Sequence, residues 1–228
     1  LPAPEVTQAA EITPEVTAEV VDSRFDIEAL LLEAQRQVDL GEYEDAIDTL
    51  DAIMGIDENY RREVVRDLMA RALRNQATLL FQSTDTVAEA IILTNRAEEF
   101  GQIGDLDYER FIGGLYLDAV RTIDLGNYLA AIRSLSEIAQ YQTTYKGINI
   151  NEQIFNQYVA YGDALVAGGQ YCQAVGQFNS ALSLFNNNVV TGKRDAAQNT
   201  CQQGVQLTLT PGVSSTQDGV APVGQPGG

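Results

Sequence analysis

The residues equipped for chemistry are few. Cys172 and Cys201 are the only cysteines, and the chain has no histidine. Without an imidazole beside it, neither thiol has its usual activating base, so a catalytic cysteine is not expected. An even pair permits one disulfide, Cys172–Cys201, in an exported chain; in a cytosolic chain the same pair would be two buried thiols. The missing histidine also removes the commonest general base and the commonest zinc or haem ligand. No Gly-x-Ser-x-Gly, His-Glu-x-x-His or Cys-x-x-Cys motif occurs. Gly192-Lys193-Arg194 lacks the upstream glycine and the following Ser or Thr of a phosphate loop. No catalytic residue and no organic cofactor is expected.

Asp105, Asp107 and Glu109 fall at i, i+2 and i+4, with Gly101 and Gly104 just upstream. Alternating oxygens in a Gly-bearing loop make them candidate Ca²⁺ ligands. A full EF-hand loop is missing, because Arg110 and Tyr116 stand where its glycine and closing glutamate belong. The competing reading has Asp105 capping the next helix, with Asp107 and Glu109 in a first turn where acids suit the dipole. Arg61, Arg62, Arg66, Arg71 and Arg74 crowd one segment among Glu58, Glu63 and Asp67. They form either a solvated face of paired charges or a contact against an acidic region of a neighbouring molecule.

Acidic regions are not scarce. The 228 residues carry 32 acids against 14 bases, a net charge of −18. Residues 1–60 alone hold 16 acids and 2 bases. Nucleic acid and anionic membrane surfaces need clustered Lys and Arg, so neither is an expected partner. No apolar run approaches the length of a membrane span. Apolar residues are 45% of the chain, enough for a core.

That core is helical. Ile27, Leu30, Leu31, Ala34 and Val38 make one stripe of a 3.6-residue helix, with Ser23 as its N-cap. Gly41 ends it, and a second stripe follows in Ala46, Ile47, Leu50, Ile53 and Met54. The same periodicity predicts helices near 26–40, 43–55, 59–81, 85–100, 106–124, 128–141, 151–167 and 171–186. A capping helix is expected near 189–204, and a loop over 142–150. In that map a Cys172–Cys201 bridge ties the cap to the last helix pair.

One signature recurs. Gly41-x-Tyr43-x-x-Ala46 matches Gly126-x-Tyr128-x-x-Ala131 and Gly169-x-Tyr171-x-x-Ala174. Large apolar residues follow each alanine at +4 (Leu50, Leu135, Phe178), and further ones come at +7 and +10. A degenerate copy fits Asp85, Val87, Ala90, Ala97 and Phe100. The spacing is near 43 residues. Two short amphipathic helices cannot bury their faces alone, so such units must stack.

The pattern resembles the tetratricopeptide repeat over about residues 26–186. The resemblance implies an all-α, right-handed α-solenoid of about four long helix pairs. It also implies that the glycine opens the turn, the tyrosine packs over it, and the alanine lets the second helix approach its neighbours. Two features depart from the family: the period exceeds the usual ~34 residues, and the proline that commonly ends the second helix is missing.

Both ends differ in composition. Residues 1–22 are rich in Pro, Thr and acids, and 205–228 in Gly, Pro and Ser. Each contains a period-2 stretch suited to a β-strand, EVTAEV at 15–20 and VQLTLT at 205–210, the latter with Val205, Leu207 and Leu209 on one side. The domain reading is an extended tail at 1–22, a repeat domain at 23–204 and a second tail at 205–228. The start at Leu1, the tail compositions and the cysteine pair favour an extracytoplasmic protein. The expected function is non-catalytic self-assembly, through repeat surfaces and tails, into a polymer or filament. Arg61, Arg62, Arg66, Val205, Leu207 and Leu209 are its candidate interface. The alternatives are an envelope-tethered interaction scaffold and a cytosolic peptide-binding adaptor.

Overall fold

A computed structural model describes the backbone of residues 23–209 and the side chains of residues 26–203. The tails at 1–22 and 210–228, and with them the strand expected at 15–20, lie outside the described residues. The helices are α1 (Ser23–Leu40), α2 (Tyr43–Ile56), α3 (Arg62–Leu80), α4 (Val87–Phe100), α5 (Leu106–Asp124), α6 (Tyr128–Tyr141), α7 (Ile150–Ala167), α8 (Tyr171–Leu184) and α9 (Asn188–Leu209). The described chain is all-α apart from one small hairpin. It divides into two compact units. The first runs to Ala77 and adds Leu93–Ile103; the second is Thr78–Ile92 with the chain from Gly104 onward. In the first, α1 packs on α2. In the second, α5 to α9 pack each on the next.

Three turns are built alike. Gly41, Gly126 and Gly169 have φ of 80°, 68° and 73°, the left-handed region. Each glycine N–H donates to the carbonyl three residues back, at 3.2, 2.9 and 3.0 Å. The next N–H reaches five residues back, at 2.9, 2.8 and 2.8 Å. These are the two bonds of a Schellman cap, which satisfies the last carbonyls of a helix and needs a residue free of a Cβ at its corner. Glu42, Asn127 and Gln170 then take nearly the same backbone angles and start the second helix. The degenerate copy lacks this glycine. There Ser83 accepts a hydrogen bond from the Asp85 N–H, and a 3₁₀ turn at Thr84–Thr86 leads into α4.

The marker alanines 46, 90, 131 and 174 are all fully buried, as are Leu50, Leu135 and Phe178 at +4 and Ile53, Ile138 and Ala181 at +7. The periodicity fails at +10. Ile56, Tyr141 and Leu184 close their helices and stand exposed. The tyrosines are less buried than the alanines. Tyr43, Tyr128 and Tyr171 are half-buried, each at the first residue of its helix. Tyr128 of α6 stacks on Tyr161 of α7, centroids 5.6 Å apart and planes 22° apart. The residue that must be small, alanine, carries the close approach.

Four of the five clustered arginines are occupied within the first unit. Arg61, just before the helix, pairs with Glu28 at 3.1 Å, and Arg71 with Asp39 at 3.6 Å, both on α1. Arg66 donates to the Glu99 carbonyl at 2.6 Å and covers the Phe100 ring; Arg74 donates to the Gln102 carbonyl at 3.3 Å. The Glu99 carbonyl belongs to the C-terminal end of α4, where partial negative charge favours cations. Of the three predicted interface arginines, Arg62 is exposed and makes no such tie among the described residues.

Three local readings are corrected. Ser23 is the first residue of α1 rather than a cap outside it. The loop at 142–150 contains a two-residue antiparallel pair, Thr144–Tyr145 with Ile148–Asn149. Its corner, Lys146-Gly147, has φ of 46° and 83°, the double positive φ of a tight hairpin turn. And Val205, Leu207 and Leu209 are not in a strand: α9 continues through Leu209. Helix propagation adds one backbone bond per residue, whereas a lone strand has nothing to pair with.

Candidate functional site

The 105–109 segment opens α5. Asp105 holds the N-cap position, but its side chain makes no capping bond. Asp107 is turned to Arg110 at 2.6 Å, and Glu109 to the Lys146 ammonium at 2.7 Å. Two of the three carboxylates therefore face two different cations. Among the described residues no group of three or more metal-ligating side chains converges.

The Glu109–Lys146 pair ties the hairpin to α5, and under it lies Tyr145. Its ring is 2% exposed and stands 5.1 Å from that of Tyr116. Its hydroxyl is the one buried side-chain polar atom among the described residues without a hydrogen-bond partner. Burial, then the charge of Glu109, then the neighbouring Tyr116 push this phenol well above the ordinary tyrosine range. Gly113 makes the room. A Cβ there would meet Val87 Cγ1 at 2.9 Å, the Tyr145 hydroxyl at 3.3 Å and Phe81 at 3.4 Å. This group of aromatic and apolar side chains holds no acid–base pair and no nucleophile; it is packing.

The outer surface nearby is different. Tyr108 and Phe111 of α5 stand 43% and 42% exposed, and Tyr141 at the end of α6 stands 56% exposed. They touch one another edge to face, with Tyr141 centroids 6.3 Å from Tyr108 and 5.5 Å from Phe111. Three large rings left together in water are unusual on a monomer's surface, and aromatic side chains dominate interface energetics. Sequence reasoning missed this face. Its signal was there: Tyr108 and Phe111 are three apart on one helix, and Tyr141 occupies the +10 position that left the core.

Cys172 and Cys201 form a disulfide, Cα atoms 5.0 Å apart. It joins the first turn of α8 to α9. Beside it a recess of about 210 Å³ opens between α7, α8 and α9. Lys193 and Asp163 pair across its mouth at 2.6 Å.

No helix among the described residues is long and apolar enough to cross a membrane. Comparison with protein-family models, curated proteins and solved structures gives no match.

Proposed function

We propose that this is a non-catalytic helical-repeat protein that associates with further copies of itself, and that the Tyr108–Phe111–Tyr141 face is the contact. The exposure of those three mutually touching rings is the observation that carries the reading. A second supports it. Leu40 and Leu125 each precede the left-handed glycine of a repeat turn, and both are more than half exposed. An equivalent leucine held out at equivalent turns suits a surface that repeats from unit to unit. The finer architecture belongs to the same proposal: a right-handed, tetratricopeptide-like stack of about four helix pairs, supported by the threefold recurrence of one hydrogen-bonded turn. So does an extracytoplasmic setting, supported by the disulfide. Joining by the two tails into a polymer extends it. No metal is part of the reading.

Light scattering on the full chain tests it. The weight-average mass should rise above the single-chain 24.8 kDa with concentration. The Phe111→Ser, Tyr141→Ser double variant, with unchanged helical content, should not rise. A wild-type protein that stays at one chain mass throughout would sink the proposal.

A further inference from the structure

We propose that the Cys172–Cys201 bridge is a reducible latch: reaction with a dithiol frees α9 from α8 while α5, α6 and α7 stay folded. The argument begins with how little else holds α9. Of its described residues, Val190 and Ala197 alone are buried hydrophobics. They join Leu165, Ala174, Phe178 and Ala181 in one core cluster, and both are small contributors beside Phe178. The rest of its described part, 188–203, is mostly polar, with Lys193, Arg194, Asp195 and several Gln, Asn and Thr, and its Val189 stands 70% exposed. Its ion pair with Asp163 is solvent-exposed, a class of contact that stabilises little. The recess between α9 and α8, walled by Phe178, Ala197 and Thr200, shows that α9 does not fill its seat.

The bridge is also reachable. Cys172 is exposed and Cys201 half-buried. Cys172 sits in the first turn of α8, where helix amides stabilise a thiolate and make it the better leaving group. An entering thiolate attacks Cys201 Sγ, the Sγ–Sγ bond breaks, and Cys172 leaves as thiolate. The second thiol of the reductant then displaces Cys201 from the mixed disulfide. The dithiol gives up two electrons and two protons and leaves as its own disulfide; the protein gains two thiols. Release uncovers the side of α8 around Phe178. The buried Ile112, Leu135, Ile138 and Ile154 lie outside the cluster that holds Val190 and Ala197, and they remain covered.

Hydrogen exchange on the full chain, with and without dithiothreitol, tests the latch, with thiol alkylation and mass reporting the state of the bridge. Reduction should speed exchange in 190–203 by on the order of a hundredfold, the scale of the lost loop constraint. Exchange in α5, α6 and α7 should stay within about threefold. The Cys172→Ser, Cys201→Ser variant should match the reduced protein without reductant. Unchanged exchange in 190–203 after verified reduction overturns the proposal. So does a simultaneous loss of protection from 104 to 203, or a bridge that dithiothreitol does not open in the folded protein.

Discussion

The phenolic oxygen of Tyr145 ends 3.3 Å from the point where a Cβ on Gly113 would stand. The hairpin tyrosine and the helix glycine are thus two halves of one fit, and the fit leaves the hydroxyl without a hydrogen bond. Burying an unpaired hydroxyl costs free energy, and removing it leaves the packing intact. Tyr145→Phe should therefore stabilise the chain by about 1 kcal/mol in urea unfolding. Destabilisation of that size would mean the hydroxyl has a partner.

The same residue sets an alkaline limit. Burial holds the Tyr145 phenol above its ordinary range, so the folded state keeps a proton that the unfolded chain loses near pH ~10. Above that pH the folded state binds more protons, and stability falls as pH rises. Below it the contribution is fully present. Wild-type stability should drop more steeply between about pH 9 and 11 than that of Tyr145→Phe. Parallel curves would contradict the assignment.

Two adjacent glycines in α5 should respond oppositely to alanine. At Gly113 the new methyl meets Val87 at 2.9 Å within a packed core; at Gly114 it meets nothing within 4 Å. Gly113→Ala should cost about 1–3 kcal/mol, as other overpacking changes do. Gly114→Ala should gain about 0.5–1 kcal/mol from helix propensity. Thermal unfolding of the two variants side by side settles the point.

The repeat turn and the repeat tyrosine can be weighed separately. Gly126→Ala forces a Cβ into the left-handed region and should cost about 1–2 kcal/mol. Tyr128 is half-buried and stacked on Tyr161, so Tyr128→Ala should cost about 1–3 kcal/mol, less than a core aromatic. Tyr128→Phe keeps the stack and should be nearly silent. A loss above about 4 kcal/mol for Tyr128→Ala would mean the tyrosine behaves as a core residue.

The disulfide has a direct readout. Protein isolated without reductant should be about 2 Da lighter than its reduced form, one hydrogen lost per thiol. Two thiols that alkylate freely in the native protein would contradict the bridge.

The helices were legible because their signals are redundant. Around Ala46, Ala131 and Ala174 a glycine, a small residue and two later apolar positions all report the same pair of helices. Where only one signal operates, the sequence misleads. VQLTLT alternates like a strand, yet Val205 to Leu209 continue α9, since alternation over six residues also fits a polar helix with scattered apolar residues. The hairpin at Thr144–Asn149 escaped because its corner residue is Lys146, where Asn or Gly would have announced the turn. The aromatic face escaped for a different reason: Tyr108, Phe111 and Tyr141 come from two helices, and periodicity along one helix does not report what the next one leaves uncovered.

Among the described residues the extensive helix–helix packing joins elements adjacent in sequence: α1 with α2, then α5 with α6 and so on to α9. Contacts so local require little loop closure before they are rewarded, which is the regime of fast folding. Such a chain can begin at any helix pair and grow by adding neighbours, and its loss of order under denaturant is expected to spread from pair to pair. The one covalent long step, Cys172 to Cys201 across 29 residues, then acts on kinetics as well: it removes the C-terminal end as a place from which unravelling can start.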